Sequence, residues 1–199
     1  MNRNEIVRLR YGNTNTFYIA GTAGGLLVDT DYAGTLQPFY RAIGEKGIQV
    51  SDITCMLATH YHPDHTGLAG ELQEMGVKLI VMDVQKQFVH YADRLFVRDS
   101  RDYLPVNLKK AAVLSCGESR KYLKDLGIDG EIISTPSHSR DSVTLLLDSG
   151  DAIVGDLEPR EYLGAYDDGE AGELRRDWKE IMRRKPKRIW YGHANDKAV

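Results

Sequence analysis

The stretch Ile53-Thr54-Cys55-Met56-Leu57-Ala58-Thr59-His60-Tyr61-His62-Pro63-Asp64-His65-Thr66-Gly67 decides how the rest of the chain is read. Residues 53–58 are a near-continuous apolar run, as expected of a strand buried on both faces. Residues 66–75 carry a helical pattern that stops at Gly76. Between them, His60 and His62 are two apart, so an extended backbone sends both imidazoles to the same side. Asp64 and His65 fall where the chain turns into the helix, and Pro63 helps fix that turn. A lone histidine reads as a surface or satisfied core residue. Three imidazoles crowded into one short loop would repel one another when charged. Held between a strand and a helix, they instead provide the rigid, converging donors that a metal ion needs.

Outward from this loop, residues 5–10 and 14–20 read as strands joined at Gly12-Asn13, and residues 26–28 as a third ending at Asp29. A helix is expected over 36–46, stopped by Gly47, and a strand over 77–82. Residues 84–96 and 117–126 predict helices, with a polar, irregular piece containing Pro105 between them. Strands follow at 131–134, 142–147 and 151–154, the last two joined at Ser149-Gly150, then a helix at 174–184 and a strand at 188–191. Strands come first in hairpins, then alternate with helices, and the scheme repeats. That order predicts two sheets packed face to face with helices outside, a four-layer αββα sandwich. No fixed-period repeat, low-complexity segment or dividing linker is visible, so residues 1–199 read as one domain.

Composition narrows the function classes. The chain is 42% hydrophobic and 28% charged, as a globular protein is, and 199 residues bury enough core to fold without a structural metal. A metal site is therefore expected to serve chemistry. The net charge of −3 speaks against nucleic acid as partner. The basic run Arg183, Arg184, Lys185, Lys187 and Arg188 reads as a solvated helix end running into Pro186. Of the two cysteines, Cys55 reads as a small buried hydrophobe, and so low a count suits a reducing cytosol. No apolar leader and no apolar run near the ~20 residues of a membrane span is seen, so a cytoplasmic location without membrane contact is expected.

His60-x-His62-x-Asp64-His65 resembles the signature of the metallo-β-lactamase superfamily. Thr135-Pro136-Ser137-His138 is similar to the turn that carries the family's third metal-binding histidine. Gly155-Asp156 resembles the bridging carboxylate that ends a hairpin strand, and Tyr191-Gly192-His193 the family's last histidine. Asn15-Thr16-Phe17-Tyr18-Ile19 and Leu27-Val28-Asp29-Thr30 resemble its opening strands, so the likeness spans nearly the whole chain. It implies that His60, His62 and His138 hold one metal, that Asp64, His65 and His193 hold another, and that Asp156 bridges them. Two divalent ions are implied, zinc by family habit. Manganese or iron suits the same donors, since no cysteine stands at a ligand position. Asp29 reads either as a carboxylate behind a ligating imidazole or as a strand end opening a turn. His90 reads as a helix-surface or lid residue.

The resemblance implies metal-assisted hydrolysis of a small carbonyl compound (a thioester, lactone or other ester). Asp64 would be a ligand first and a catalytic proton acceptor second. The alternatives are a mono-iron persulfide dioxygenase, a phosphodiesterase, or a catalytically silent metal-binding sensor. The glutathione-binding helical domain of larger glyoxalase II-like enzymes is not expected, because the chain stops at Val199. Asp156 stands where the family's main β-lactamases carry cysteine, which disfavours antibiotic hydrolysis. A departure from the pattern lies around His138, where Arg140 and Asp141 bring charge. They read as a surface pair, or Arg140 as a contact for an anionic substrate. Tyr162 and Tyr166, in the segment that leaves Asp156, are further candidate substrate contacts. The partner expected is a small molecule, and the sequence leaves the oligomeric state open.

Overall fold

A computed structural model describes residues 4–98, 102–165 and 171–199. Its first sheet holds β1 (Ile6–Leu9), β2 (Thr16–Ala20), β3 (Gly25–Val28), β4 (Ile53–Leu57), β5 (Lys78–Met82) and β6 (Ala112–Leu114), in that order. The first three strands are antiparallel hairpins, and β3 to β6 run parallel. The crossovers that parallel pairing requires include α1 (Leu36–Glu45), α2 (Pro63–Thr66), α3 (Ala69–Glu74) and α4 (Asp93–Arg98). Then α5 (Cys116–Asp125) leads to the second sheet. That sheet has the order β11 (Lys197–Ala198), β10 (Arg188–Tyr191), β9 (Asp151–Gly155), β8 (Val143–Leu147), β7 (Gly130–Ser134). The helix α6 (Gly172–Arg183) joins β9 to β10, which pair in parallel.

Three apolar interfaces make four layers. Phe17, Ile19, Leu26, Leu57 and Ile80 of the first sheet meet Ile132, Val143, Leu145 and Ile153 of the second. On the outer face of the first sheet, Leu27, Met56, Leu79 and Val81 pack on Phe39 and Ile43 of α1 and Leu72 of α3. On the outer face of the second, Ala152, Val154 and Ile189 pack on Leu174, Trp178 and Ile181 of α6. Each large side chain so buried contributes about 1.5–3 kcal/mol. This is the αββα sandwich that the order of elements predicts.

Four local expectations need correction. The helix expected over 66–75 is broken at Gly67 and Leu68, whose N–H groups bond to Asp31 O at 3.0 Å and Thr30 Oγ1 at 3.3 Å. The chain after β3 thus takes donors that a continuous helix would have used. Residues 84–96 are not one helix either: a 3₁₀ turn at Asp83–Gln85 and further tight turns precede α4. β6 and β11 were not foreseen. β6 lies in the piece read as irregular, and β11 is two residues paired to the end of β10.

Candidate metal centre

The site forms where strand ends from both sheets meet. The loop after β4 carries His60, His62, Asp64 and His65; the turn after β7 carries His138; β9 is followed at once by Asp156; and β10 is followed by His193. Direct backbone bonds tie the sheets together at this edge, Val143 N–H to Thr59 O at 2.8 Å and Asn15 N–H to Gly192 O at 2.7 Å.

The seven side chains converge. His60, His62 and His138 form one group whose donor atoms all lie within 4.8 Å of one another, and Asp64, His65 and His193 form a second. A third group, His60, His65 and Asp156, links them. Asp156 stands 3.3 Å from His65 Nε2, 3.4 Å from His193 Nε2, and 3.8 Å from both His60 Nε2 and His138 Nε2. His62 Nδ1 and His138 Nε2 are 3.2 Å apart, and His193 Nε2 and Asp64 Oδ2 are 3.1 Å apart. Donors about 2.0–2.1 Å from one tetrahedral zinc stand about 3.3 Å from each other. The spacing therefore matches donors that share an ion.

Unsatisfied atoms point the same way. His60 Nε2, His65 Nε2 and Asp156 Oδ1 are buried without a hydrogen-bond partner, although His65 and Asp156 lie at ion-pair distance. Buried polar atoms rarely go unpaired, and a cation among them would satisfy all three. The other ring nitrogens are occupied. His65 Nδ1 faces Asp29 Oδ2 at 2.9 Å, His60 Nδ1 faces Thr59 Oγ1 at 3.2 Å, and His193 Nδ1 faces Asn13 O at 3.3 Å. Each of these contacts places the proton on Nδ1 and leaves Nε2 as a donor toward the cluster.

Asp29 is the common anchor. It is fully buried, with a left-handed φ of 59° that Asp tolerates better than most residues. Its carboxylate accepts from Thr59 N at 2.6 Å, Thr59 Oγ1 at 2.8 Å and His65 Nδ1 at 2.9 Å. Of the two roles the sequence left open for Asp29, the carboxylate behind an imidazole matches the geometry. Gly155 and Gly192 allow the close packing. A Cβ at Gly155, where φ is 59°, would meet Thr59 Oγ1 at 2.5 Å, and one at Gly192 would meet Asp156 Oδ1 at 2.5 Å.

Several anchors were not foreseen. Asp141, one reading of which was a surface charge, is buried, and its carboxylate accepts from Tyr61 N at 2.7 Å. The Gln85 amide bonds to Ala58 O, Thr59 O and Asp141 O, tying both histidine-bearing loops together. Asn15 Nδ2 holds Tyr191 O at 2.9 Å and Ala194 O at 2.8 Å, on either side of His193. Asp177, a buried carboxylate on the apolar face of α6, accepts from Ser137 N at 2.8 Å, next to His138. Asp177→Ala is expected to cost about 1–3 kcal/mol by orphaning that N–H. It should also weaken metal binding on the order of 10–100-fold, while Asp177→Asn, which keeps an acceptor, retains most of both. Thermal unfolding and zinc titration against a chelator measure the two effects.

The remaining candidates lie differently. Arg140 is exposed and pairs with Glu173 at 3.3 Å. Tyr162 is exposed in the 3₁₀ segment Arg160–Ala165 and, among the described residues, makes no hydrogen bond or ring contact with the cluster. Tyr166 lies outside the described residues. His90 is exposed in a turn rather than on a helix, and its Nδ1 is 2.9 Å from Asp93.

Electrostatics divide the cluster. Burial, reinforced by the neighbouring His65, pushes His60 well below the usual imidazole range, and burial also lowers His138. Burial alone would lower His65 too, but Asp29 and then Asp156 raise it to about 10. Asp156 and Asp64 raise His193 to about 10. Burial would raise Asp156, yet its pairing with His193 and His65 holds it far below the usual carboxylate range. The same balance, with His193 and His65 outweighing burial, lowers Asp64.

A folded-state pKa raised above 6.5 stabilises fully below that pH and less as pH climbs toward about 10. Metal-depleted protein is therefore expected to lose thermal stability over that window. Metal uptake near neutral pH should release protons from His65 and His193, detectable with an indicator dye. Stability that stays flat across the window would contradict this charge assignment.

Comparison with known proteins places the chain in a family. Residues 9–193 match the model of the metallo-beta-lactamase superfamily. The chain belongs to that superfamily. It is similar to the Beta-lactamase-like protein 2 homolog of Drosophila melanogaster, 25% identical over 182 residues. The match covers 92% of this chain but only 59% of the fly protein, so the chain spans less than two thirds of that relative. Among solved structures, a metallo-beta-lactamase family protein from Thermus thermophilus superposes with a TM-score of 0.73 at 19% identity, covering 98% of this chain and 74% of that one. A protein solved in a di-iron-bound form gives 0.72 at 20% identity, covering 98% and 94%. The metallo-beta-lactamase MIM-1 from Novosphingobium pentaromativorans gives 0.65 at 20% identity, covering 94% and 76%. At these identities the superpositions speak to the fold alone.

Proposed function

We propose that this protein is a dinuclear metal-dependent hydrolase of a small carbonyl substrate, a thioester or lactone first. One observation carries the reading. Two three-residue donor groups share the carboxylate of Asp156, whose oxygens lie 3.3–3.8 Å from histidines of both. His60, His62 and His138 would hold one ion, Asp64, His65 and His193 the other, with Asp156 between them. Zinc is the default, and iron is a real competitor because a structural relative was solved in a di-iron-bound form.

Bound metal ions supply a hydroxide nucleophile at neutral pH and a Lewis acid for the substrate oxygen. The chain's own groups do the rest. Thr59 and Asp29 keep the Nδ1 protons of His60 and His65 turned away from the cluster, so both Nε2 atoms stay available. Asp64 is held ionised beside His193, which suits a ligand, and its lowered pKa makes it a weak proton acceptor. The cluster opens to solvent on the His62, His138 and His193 side, while His60 and His65 are buried. Substrate approaches from the exposed side.

The test is a panel of thioesters, lactones, β-lactams and phosphodiesters run with zinc, manganese and iron. Turnover of a thioester or lactone above the other classes is expected. Turnover confined to phosphodiesters would overturn the substrate assignment, and no turnover with any metal would favour a binding role. About one iron per chain after purification would favour a mono-iron sulfur dioxygenase instead.

A further inference from the structure

Beside the metal-ligand cluster, on the side of His62, lies a cleft of about 190 Å³. Phe88, Tyr91, Arg140 and Asp141 line it with His62. Tyr91 is 57% exposed although Val89, two residues before it, and Ala92, the next residue, are buried. Its ring lies 5.7 Å from that of His62, tilted by 38°. The segment is thus anchored by its neighbours while one large ring faces solvent next to a candidate ligand. Both charged side chains of the cleft have a partner elsewhere in the protein. The Asp141 carboxylate accepts from Tyr61 N, and the Arg140 guanidinium pairs with Glu173. Next to them, Phe88 and Tyr91 offer an incoming molecule aromatic surface.

We propose that this cleft is an acyl-group subsite that seats an uncharged apolar substituent, an aryl ring or short branched chain. His62 lines both the cleft and the cluster, so a group seated in the cleft would lie close to a carbonyl reacting at the cluster. The acyl substituent meets that condition. Burying it against Tyr91 and Phe88 adds binding that a shorter acyl group forgoes. This inference rests on the hydrolase reading above.

The test uses metal-loaded protein and three thioesters with one leaving group and acetyl, succinyl or phenylacetyl as the acyl part. The phenylacetyl compound is expected to exceed both others in kcat/KM by about tenfold or more. Tyr91→Ala should lower the phenylacetyl-to-acetyl ratio by about tenfold, and Tyr91→Phe, which keeps the ring, should preserve it. Equal kcat/KM for the three, a preference for succinyl, or a ratio unchanged in Tyr91→Ala would overturn the subsite and leave the hydrolase reading intact. If no thioester is cleaved, phenylacetamide binding to the zinc-loaded protein is followed by NMR. Shifts of the Phe88 and Tyr91 resonances would uphold the cleft while hydrolysis falls, and no shift would overturn the cleft as well.

Discussion

Asp156→Ala is expected to lower metal content to about one ion per chain or fewer and hydrolysis on the order of 10³-fold. The carboxylate lies within 4 Å of histidines from both donor groups: His60, His138, His65 and His193. Without it, two bound ions would lack a shared anionic ligand, and the four imidazoles around it would lose the negative charge beside them. His65 and His193, which Asp156 helps hold protonated in the absence of metal, would lose part of that support. The secondary structure should persist, because Asp156 lies at the end of β9 and outside the apolar interfaces. Metal analysis with circular dichroism on the same sample separates ligand loss from unfolding. A variant that keeps two metals and full activity would remove Asp156 as the bridge.

The second large effect is expected at Asp29, which touches no candidate metal position itself. Asp29→Ala leaves the Thr59 N–H, the Thr59 hydroxyl and the His65 Nδ1–H without their shared acceptor in a fully buried place. Removing one partner of a buried charged contact costs about 3–5 kcal/mol. The left-handed backbone at this position adds a further penalty for Ala. The expected result is a marginal or unfolded protein. Asp29→Asn is the more informative change. It tolerates the same backbone but presents an amide where three donors point. Folded Asp29→Asn should bind metal on the order of 10–100-fold more weakly, by letting His65 and, through Thr59, His60 turn. Metal affinity equal to wild type would show that Asp29 serves the fold alone.

Much of this candidate site was legible because its candidate ligands follow strand ends. The loop from His60 to His65 announces itself by residue type and spacing, and the resemblance to the metallo-β-lactamase superfamily adds His138, Asp156 and His193 as candidate ligands. The four-layer architecture follows from the order of strands and helices. What stayed hidden is the polar framework behind the ligands. Asn15 acts on residues 176 and 179 positions away, Asp177 on one 40 away, and Gln85 on Ala58, Thr59 and Asp141. Periodicity cannot report contacts so distant in sequence. The misread segment after β5 has the same cause. Val84, Phe88, Val89, Ala92 and Phe96 are spaced as on a helix, yet the Gln85 side chain is drawn inward to Met82 N and to three backbone carbonyls. Those tertiary bonds outweigh helical propensity and turn the chain instead. That turn is what leaves Tyr91 beside His62.

The most direct test of a two-metal hydrolytic centre is a titration. Metal-depleted protein receives zinc, manganese or iron in steps while thioester hydrolysis is followed. The account predicts activity that climbs to a plateau at about two equivalents per chain. A plateau at one equivalent, or no turnover at any loading with any of the three metals, would contradict it.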